Sequence, residues 1–255
     1  MRKRSDTKTS WDYTELAAAY VKRPDYAPEA IDEMLAMASV HSGARACDVG
    51  AGAGHLTMEL ARRGLTVAAV EPNPAMRGHG IERTRDFRKV TWSEGTGEHT
   101  GQPAGAFDLV TFGSSFNVTD RPSALNETAR ILQPRGWFAC LWNHRDLADP
   151  IQEAIESAIR SRIPDYDYGS RREDQTAVID ASGLFGAVYR LERHVRHEQP
   201  VEDCLEAWRS HATLRRQAGE RFADVIEAIR QILTARRPSI QVPYTTRVWM
   251  AQRKA

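Results

Sequence analysis

At 255 residues the chain is long enough to bury one substantial core, and one domain with an appended lid is expected in place of two independent domains. Its 35 Lys and Arg against 34 Asp and Glu leave a formal charge of +1, so no global field draws it to a polyanion, and a tRNA or DNA substrate is disfavoured. Cys47, Cys140 and Cys204 are odd in number and far apart, with no C-x-x-C pair or nearby His spacing, which argues against a disulfide framework or a zinc site and fits a reducing cytoplasm. No run approaches a membrane span. Arg2-Lys3-Arg4 reads as a solvated tail, and Trp11, Asp12 and Glu15 stand where a signal peptide needs an apolar core, so a soluble, unexported protein is expected.

Residues 11–20 and 28–39 read as two helices, separated by Lys22-Arg23-Pro24-Asp25-Tyr26, which Pro24 and Pro28 keep from being helical. Trp11, Tyr13 and Tyr20, taken singly, suit the pinning of one helix to another. Residues 44–49 have a buried-strand character, and Leu56, Leu60 and Ala61 then recur at helical spacing. Gly50, Gly52 and Gly54 therefore sit at a strand-to-helix corner, where backbone turns tightly and a ligand can approach with no Cβ in the way. Their G-x-G-x-G spacing departs from the G-x-G-x-x-G of dinucleotide sites and favours a different nucleotide-like cofactor, the alternative being a tight βα corner alone. Residues 67–70 form a second strand ending in Glu71, about twenty residues past the glycines, where a ribose-binding acid is expected and a solvated strand-end acid is the alternative.

Residues 90–94 read as a third strand before the loop 95–99, and 107–112 as a fourth strand whose end is 113–117. A helix over 122–132 and a turn at Pro134-Arg135-Gly136 lead into a fifth strand, 137–142, which ends in the polar cluster Asn143-His144-Arg145-Asp146. His144 is the candidate catalytic base there, because its ordinary pKa lies nearest neutrality; a structural histidine is the alternative. Residues 150–163 have helical periodicity, and 164–172 form a loop dense in aromatic and charged groups. Helices follow over 175–185, 202–210 and 222–235, with strands at 188–197 and 244–251. Phe222, Val225, Ile226, Ile229 and Leu233 form one core-packing stripe.

Four stretches, DVGAGAGHLTMEL (48–60), VEPNPAM (70–76), GTGEHTGQPAGAFDLVTF (95–112) and ARILQPRGWFACLW (129–142), resemble the class I S-adenosylmethionine-dependent methyltransferases, in particular the small-molecule group. With the closing VPYTTRVWMAQR (242–253) they cover the chain in order. The resemblance implies an α/β fold: a Rossmann-like doubly wound seven-stranded sheet in the order 3-2-1-4-5-7-6, its last strand inserted antiparallel. It also implies one domain, divided into an N-terminal helical cover (1–43), a cofactor-binding core (44–145), a lid insertion after strand five (146–175) and the C-terminal part of the core with added helices (176–255).

The cofactor implied is S-adenosylmethionine, with S-adenosylhomocysteine as product. Asp48 then faces its methionine portion, Gly50, Ala51, Gly52 and Gly54 allow close backbone approach, and Glu71 with Pro72 holds the ribose. Asn73 and Met76 lie near adenine and ribose, Gly113 near the methionine backbone, and Tyr20 near the methionine end or the substrate. In the family the loop at 95–99 commonly carries an Asp followed by a small residue; Thr96 stands in its place, so Gly97 is carried over by backbone, with Thr96 and Glu98 as candidate side chains. Acceptor contacts fall to Arg23, Ser114, Phe116, Asn117, Asn143, Tyr166, Tyr168 and Arg171, with Arg172 beside them and Trp208 and His211 within reach. Arginine there suits a carboxylate or phosphate, and a solvated loop is the alternative for any one residue of 164–172. The activity implied is in-line methyl transfer to an O, N or C nucleophile of a small molecule, by a monomer or homodimer that needs no metal. A protein methyltransferase and a cofactor-binding regulatory or scaffold protein are the alternatives. Ser114-Ser115-Phe116-Asn117, in place of an Asn-Pro-Pro-aromatic or Asp-Pro-Pro-aromatic tetrapeptide, further disfavours a nucleic-acid substrate.

Overall fold

The computed structural model describes residues 14–235 and 238–255. A short helix α1 (Ala17–Tyr20) and α2 (Pro28–Met37) lead into β1 (Arg45–Val49), α3 (His55–Arg62), β2 (Thr66–Val70), α4 (Pro74–Thr84) and β3 (Val90–Ser93). There follow β4 (Phe107–Gly113), α5 (Arg121–Ile131), β5 (Leu132–Arg145), α6 (Pro150–Arg162), α7 (Thr176–Ala181) and β6 (Phe185–Pro200). The chain ends with α8 (Val201–Arg209), α9 (Ala212–Ala218), α10 (Phe222–Thr234) and β7 (Ser239–Arg253). Arg2-Lys3-Arg4, Trp11 and Tyr13 lie outside the described residues, as does the first part of the helix expected over 11–20.

The seven strands form one sheet in the order β3-β2-β1-β4-β5-β7-β6, as the resemblance implied. β1 to β5 run parallel, and β7 is antiparallel to both β5 and β6. Parallel strands covered on both faces need apolar residues on both, which explains their continuous apolar runs. Successive side chains divide between the faces. Ala46, Leu109 and Ala139 pack with Ile31 and Met34 of α2 and Leu56 and Leu60 of α3. Their neighbours Cys47, Val110 and Cys140 pack on the other side with Leu125 and Ile131 of α5. All three cysteines are free and buried. Among the described residues no helix is long and apolar enough to cross a membrane.

A third cluster joins α6, α8, α9 and α10 to Ile240, Val242 and Tyr244 of β7. Tyr244 pairs with Arg145, so this helical layer stands over the carboxyl end of β5. It is built from two stretches of chain, and the helices at 201–234 belong to the cover as much as the insertion at 146–175 does.

Several boundaries differ from the sequence reading, each for a local reason. The turn expected at 134–136 lies inside β5: its register against β4 jumps from Phe107↔Leu132 to Leu109↔Trp137, and Arg135 takes a φ of +66°. α7 stops at Ala181, short of the expected 185, because Phe185 already begins β6. α4 and α9 were not anticipated. Asn73, read as part of a turn, is the N-cap of α4 and accepts from Ala75 N and Met76 N at 3.0 Å each, with Pro74 in the first turn.

Candidate active site

Strand ends place a cleft at the carboxyl edge of β1, β2, β4 and β5, where open α/β sheets bind ligands. Gly50, just past β1, sets its floor. Its φ is +65°, and a Cβ there would lie 2.5 Å from Ser115 Cβ, so only glycine allows the β1 and β4 ends to close together. Ser115 completes the crossing by donating from Oγ to Val49 O at 2.6 Å. Ser114 beside it holds a φ of +59°, a costly conformation for a residue with a Cβ, and its hydroxyl meets Tyr26 Oη at 3.1 Å.

The cleft has two chambers that share Tyr20, Gly50, Gly52, Gly113, Ser114 and Val118. The first is walled by Glu71, Pro72, Met76, Thr96, Gly97 and Glu98. Glu71 is 6 % exposed; one carboxylate oxygen accepts from Gly52 N and the other from Asn73 N, both at 2.8 Å. Burial raises its pKa and these two backbone N–H groups oppose that shift. Each oxygen keeps a lone pair, so the group can still accept two hydroxyls side by side. Thr96 and Glu98 are partly committed within the protein: Thr96 Oγ1 accepts from His99 N at 3.2 Å, and Glu98 Oε1 accepts from Asp120 N at 2.7 Å.

The second chamber takes its walls from distant elements, including Arg23, Tyr26, Asp48, Asn143, Arg145 and Arg171. Asp48, fully buried, accepts from Thr57 Oγ1 at 2.6 Å and Thr111 Oγ1 at 3.1 Å. Burial pushes its pKa up to about 7 against those two bonds, with the Glu71 charge adding to the rise. Asn143 donates to Asp25 O at 2.8 Å and accepts from Thr246 Oγ1 at 2.5 Å, so its amide holds the segment after α1 over the cleft. His55 strengthens that seam, its Nδ1 2.8 Å from Asp25 and its Nε2 3.2 Å from Tyr20 O. Arg23 crosses to the helical layer, donating to Ser210 Oγ at 2.9 Å and Ser210 O at 2.7 Å.

Ala51, Asn117 and His211 also line this chamber, Asn117 accepting from Trp142 Nε1 at 2.9 Å. Other expected site residues stand elsewhere. Phe116 is fully buried against Phe112 and Phe138, with ring centroids 5.4 Å away in each case, and belongs to the core. Gly54 is the N-cap of α3 and lies against Gly80 and Trp92 of the neighbouring α4 and β3, away from either chamber. Tyr166 and Tyr168 meet edge to face behind Arg171 with centroids 5.2 Å apart, and Tyr168 Oη donates to Glu156 at 2.5 Å. Trp208 is buried beneath Arg145, whose guanidinium carbon lies 4.0 Å from the Trp208 ring centroid.

His144 is likewise corrected. It does not line either chamber: beyond Trp142, which does line the second, side chains alternate along β5 and the cleft takes Asn143 and Arg145. It is 3 % exposed, neither ring nitrogen has a partner among the described residues, and burial together with Arg171, Arg172 and Arg247 lowers its pKa to about 2. The same alternation is the signal that picks out Arg145, which the sequence reading left among the polar cluster. Tyr26, His55 and Tyr244 also line the cleft without a spacing that marks them.

A methyltransferase-domain family model matches residues 47–140. An uncharacterized methyltransferase of Mycobacterium tuberculosis is 36% identical over 139 residues, 54% of each chain, so this chain spans about half the length of the curated relatives it matches. The YcgJ protein of Bacillus subtilis has the same fold with a TM-score of 0.56, at 18% identity over 89% of this chain and 99% of that one. Phosphoethanolamine N-methyltransferase 2 of Haemonchus contortus, solved with S-adenosyl-L-methionine, superposes with a TM-score of 0.58 at 14% identity, over 97% of this chain and 61% of that one. Residues 47–140 thus match a methyltransferase domain, and the sheet order and glycine corner of the chain are similar to those of the class I S-adenosylmethionine-dependent methyltransferases.

Proposed function

We propose that the protein moves the methyl group of S-adenosylmethionine to an O, N or C nucleophile of a small organic acceptor. The observation that carries this reading is the two-chambered cleft whose neck is Gly50, Gly113 and Ser114, with Glu71 in one chamber and Arg23, Arg145 and Arg171 lining the other. When bound, the cofactor supplies a methyl carbon on a cationic sulfur, which an acceptor lone pair attacks in line as the carbon–sulfur pair returns to sulfur.

The residues present fit such a ligand. Glu71 retains the lone pairs a ribose diol needs, Met76, Thr96 and Gly97 offer walls for a base, and Asp48 presents a carboxylate toward a cationic methionine end. Tyr20, at the end of α1, lines both chambers and covers the neck. The chain's contribution to the reaction is placement and exclusion of water. Both the Arg23–Ser210 bonds and the 3.0 Å ion pair of Lys22 with Asp203 tie the N-terminal cover to α8 and its C-cap, which favours a small acceptor over a polypeptide. His144, outside the cleft, has no part in proton transfer in this reading.

Calorimetric titration with S-adenosylmethionine and S-adenosylhomocysteine tests it. Micromolar binding of both is expected, and absence of binding by either ligand overturns the proposal.

A further inference from the structure

The acceptor chamber carries a surplus of cationic hydrogen-bond donors that the other described residues do not neutralise. Arg23, Arg145 and Arg171 come from the segment after α1, the end of β5 and a 3-10 turn over Gly169–Arg172, yet all three line this one space. None has an ion pair among the described residues, and the only lining carboxylate is Asp48, at the glycine corner. Arg23 spends its donors on Ser210. Arg145 spends none among the described residues: it lies over the rings of Trp208 and Tyr244, and its Nε is buried without an acceptor there. The Nε of Arg171 is also buried without one.

Two further groups are short of an acceptor at the same place. Tyr244 Oη, on a residue 4 % exposed, has no partner among the described residues. His211 meets Arg171 Nη1 through Nε2 at 2.8 Å while its Nδ1 lies 3.2 Å from Leu214 N. A ring that carries at least one N–H cannot accept at both nitrogens, so one of these contacts sets a donor against a donor. Buried donors without acceptors cost about 1–3 kcal/mol each, and clustered guanidiniums add mutual repulsion. An anion between them satisfies the donors and removes the repulsion together. With a chain charge of only +1, the cluster is a local device.

From this geometry we infer that Arg145 and Arg171, with Tyr244 and His211 beside them, hold an anionic group of the methyl acceptor, a carboxylate or a phosphate. Its assignment to the acceptor rests on the methyltransferase reading; the anion site itself does not. Two planar forks can each pair with two oxygens, and aromatic rings beneath Arg145 hold its fork in place before the ligand arrives. A neutral amide offers one acceptor oxygen in place of two and leaves the guanidinium charges uncompensated, so the chamber selects acids over their amides.

The test titrates the S-adenosylhomocysteine-loaded protein, at constant ionic strength, with inorganic phosphate, succinate and neutral succinamide, followed by calorimetry and by the fluorescence of tryptophan, Trp208 lying against Arg145. Saturable binding of phosphate or succinate, no binding of succinamide, and a loss of about tenfold or more in Arg145→Gln and Arg171→Gln are expected. Thermal melts show that both variants fold, and their S-adenosylhomocysteine affinity is expected to stay within about twofold of the parent. Absence of saturable anion binding overturns the inference. So does a loss of S-adenosylhomocysteine affinity of about tenfold in both variants, because the guanidiniums then serve the cofactor's own carboxylate. Anion binding by a parent protein that does not bind S-adenosylhomocysteine leaves the anion site standing and overturns the methyltransferase reading instead.

Discussion

The Glu71 chamber is framed chiefly by strand ends and the turns that follow them, and Glu71 itself is fixed by N–H groups 19 and 2 positions away. The Arg145 chamber is assembled from segments far apart in the chain; one of its seams, Arg23 to Ser210, joins residues 187 positions apart. The first is therefore a property of local backbone geometry, and the second of the completed fold. Substitutions in the first are expected to act steeply on one ligand, whereas the second depends on the helical layer and the N-terminal cover docking together.

The largest expected effect is at the shared floor. Gly50→Ala combines a left-handed φ, costing about 1–2 kcal/mol, with a Cβ 2.5 Å from Ser115 Cβ. Affinity for S-adenosylhomocysteine, read by calorimetry, is expected to fall on the order of a hundredfold. Adding Ser115→Gly removes the overlap and leaves the φ penalty, so partial recovery is expected; no recovery shows that the overlap is not what matters. Next is Glu71→Ala, for which loss of a charged acceptor of two hydroxyls predicts a fall of more than about tenfold. Unchanged affinity moves the ribose away from Glu71.

A smaller effect depends on pH. Asp48 has its pKa raised to about 7, so a cation bound beside it interacts fully only with the ionised form. Affinity for S-adenosylmethionine is then expected to rise by about tenfold between pH 6 and pH 8, and Asp48→Asn to flatten the profile. Folding has the opposite sign. Between the ordinary pKa of 3.8 and about 7, the native state keeps a proton that the unfolded chain releases, so this group's contribution to stability declines as pH rises through that window. A flat binding profile in the parent protein rules out a cationic group against Asp48.

The contrast between the chambers also explains what the sequence disclosed. The parallel strands, the glycine corner and Glu71 follow from contiguous patterns, namely apolar runs, glycine spacing and an acid at a strand end, whereas the sheet order came from the family resemblance. Asn73 and Met76 line the same chamber as Glu71, although the helix that Asn73 caps went unread. Phe116 went astray because an aromatic residue after a central strand is equally suited to a pocket wall or a core, and only the positions of Phe112 and Phe138 decide it. Tyr166 and Tyr168 sit one layer behind the surface they were expected to form. Arg145 was within reach, since Asn143 and Arg145 share a face of β5 that excludes His144.

That alternation yields the smallest predicted effect, and the sharpest division between lining the cleft and lying near it. His144→Leu replaces a buried imidazole with an apolar side chain of similar size, at a site where neither ring nitrogen has a partner among the described residues. Turnover of any acceptor is expected to stay within about twofold, whereas removal of an essential base costs about 10²–10⁴-fold. Stability should be unchanged or improved near neutrality, because two unsatisfied polar atoms leave the interior. In acid the variant should gain further. Native His144 stays neutral down to about 2, while the unfolded chain takes up a proton below the ordinary 6.5, so the parent protein loses up to about 1.4 kcal/mol per pH unit through that window and the variant does not. Denaturant unfolding at pH 7 and pH 5 reads this directly: equal losses in both proteins would show that His144 is hydrated in the native state, and a collapse of turnover at pH 7 would return it to the chemistry.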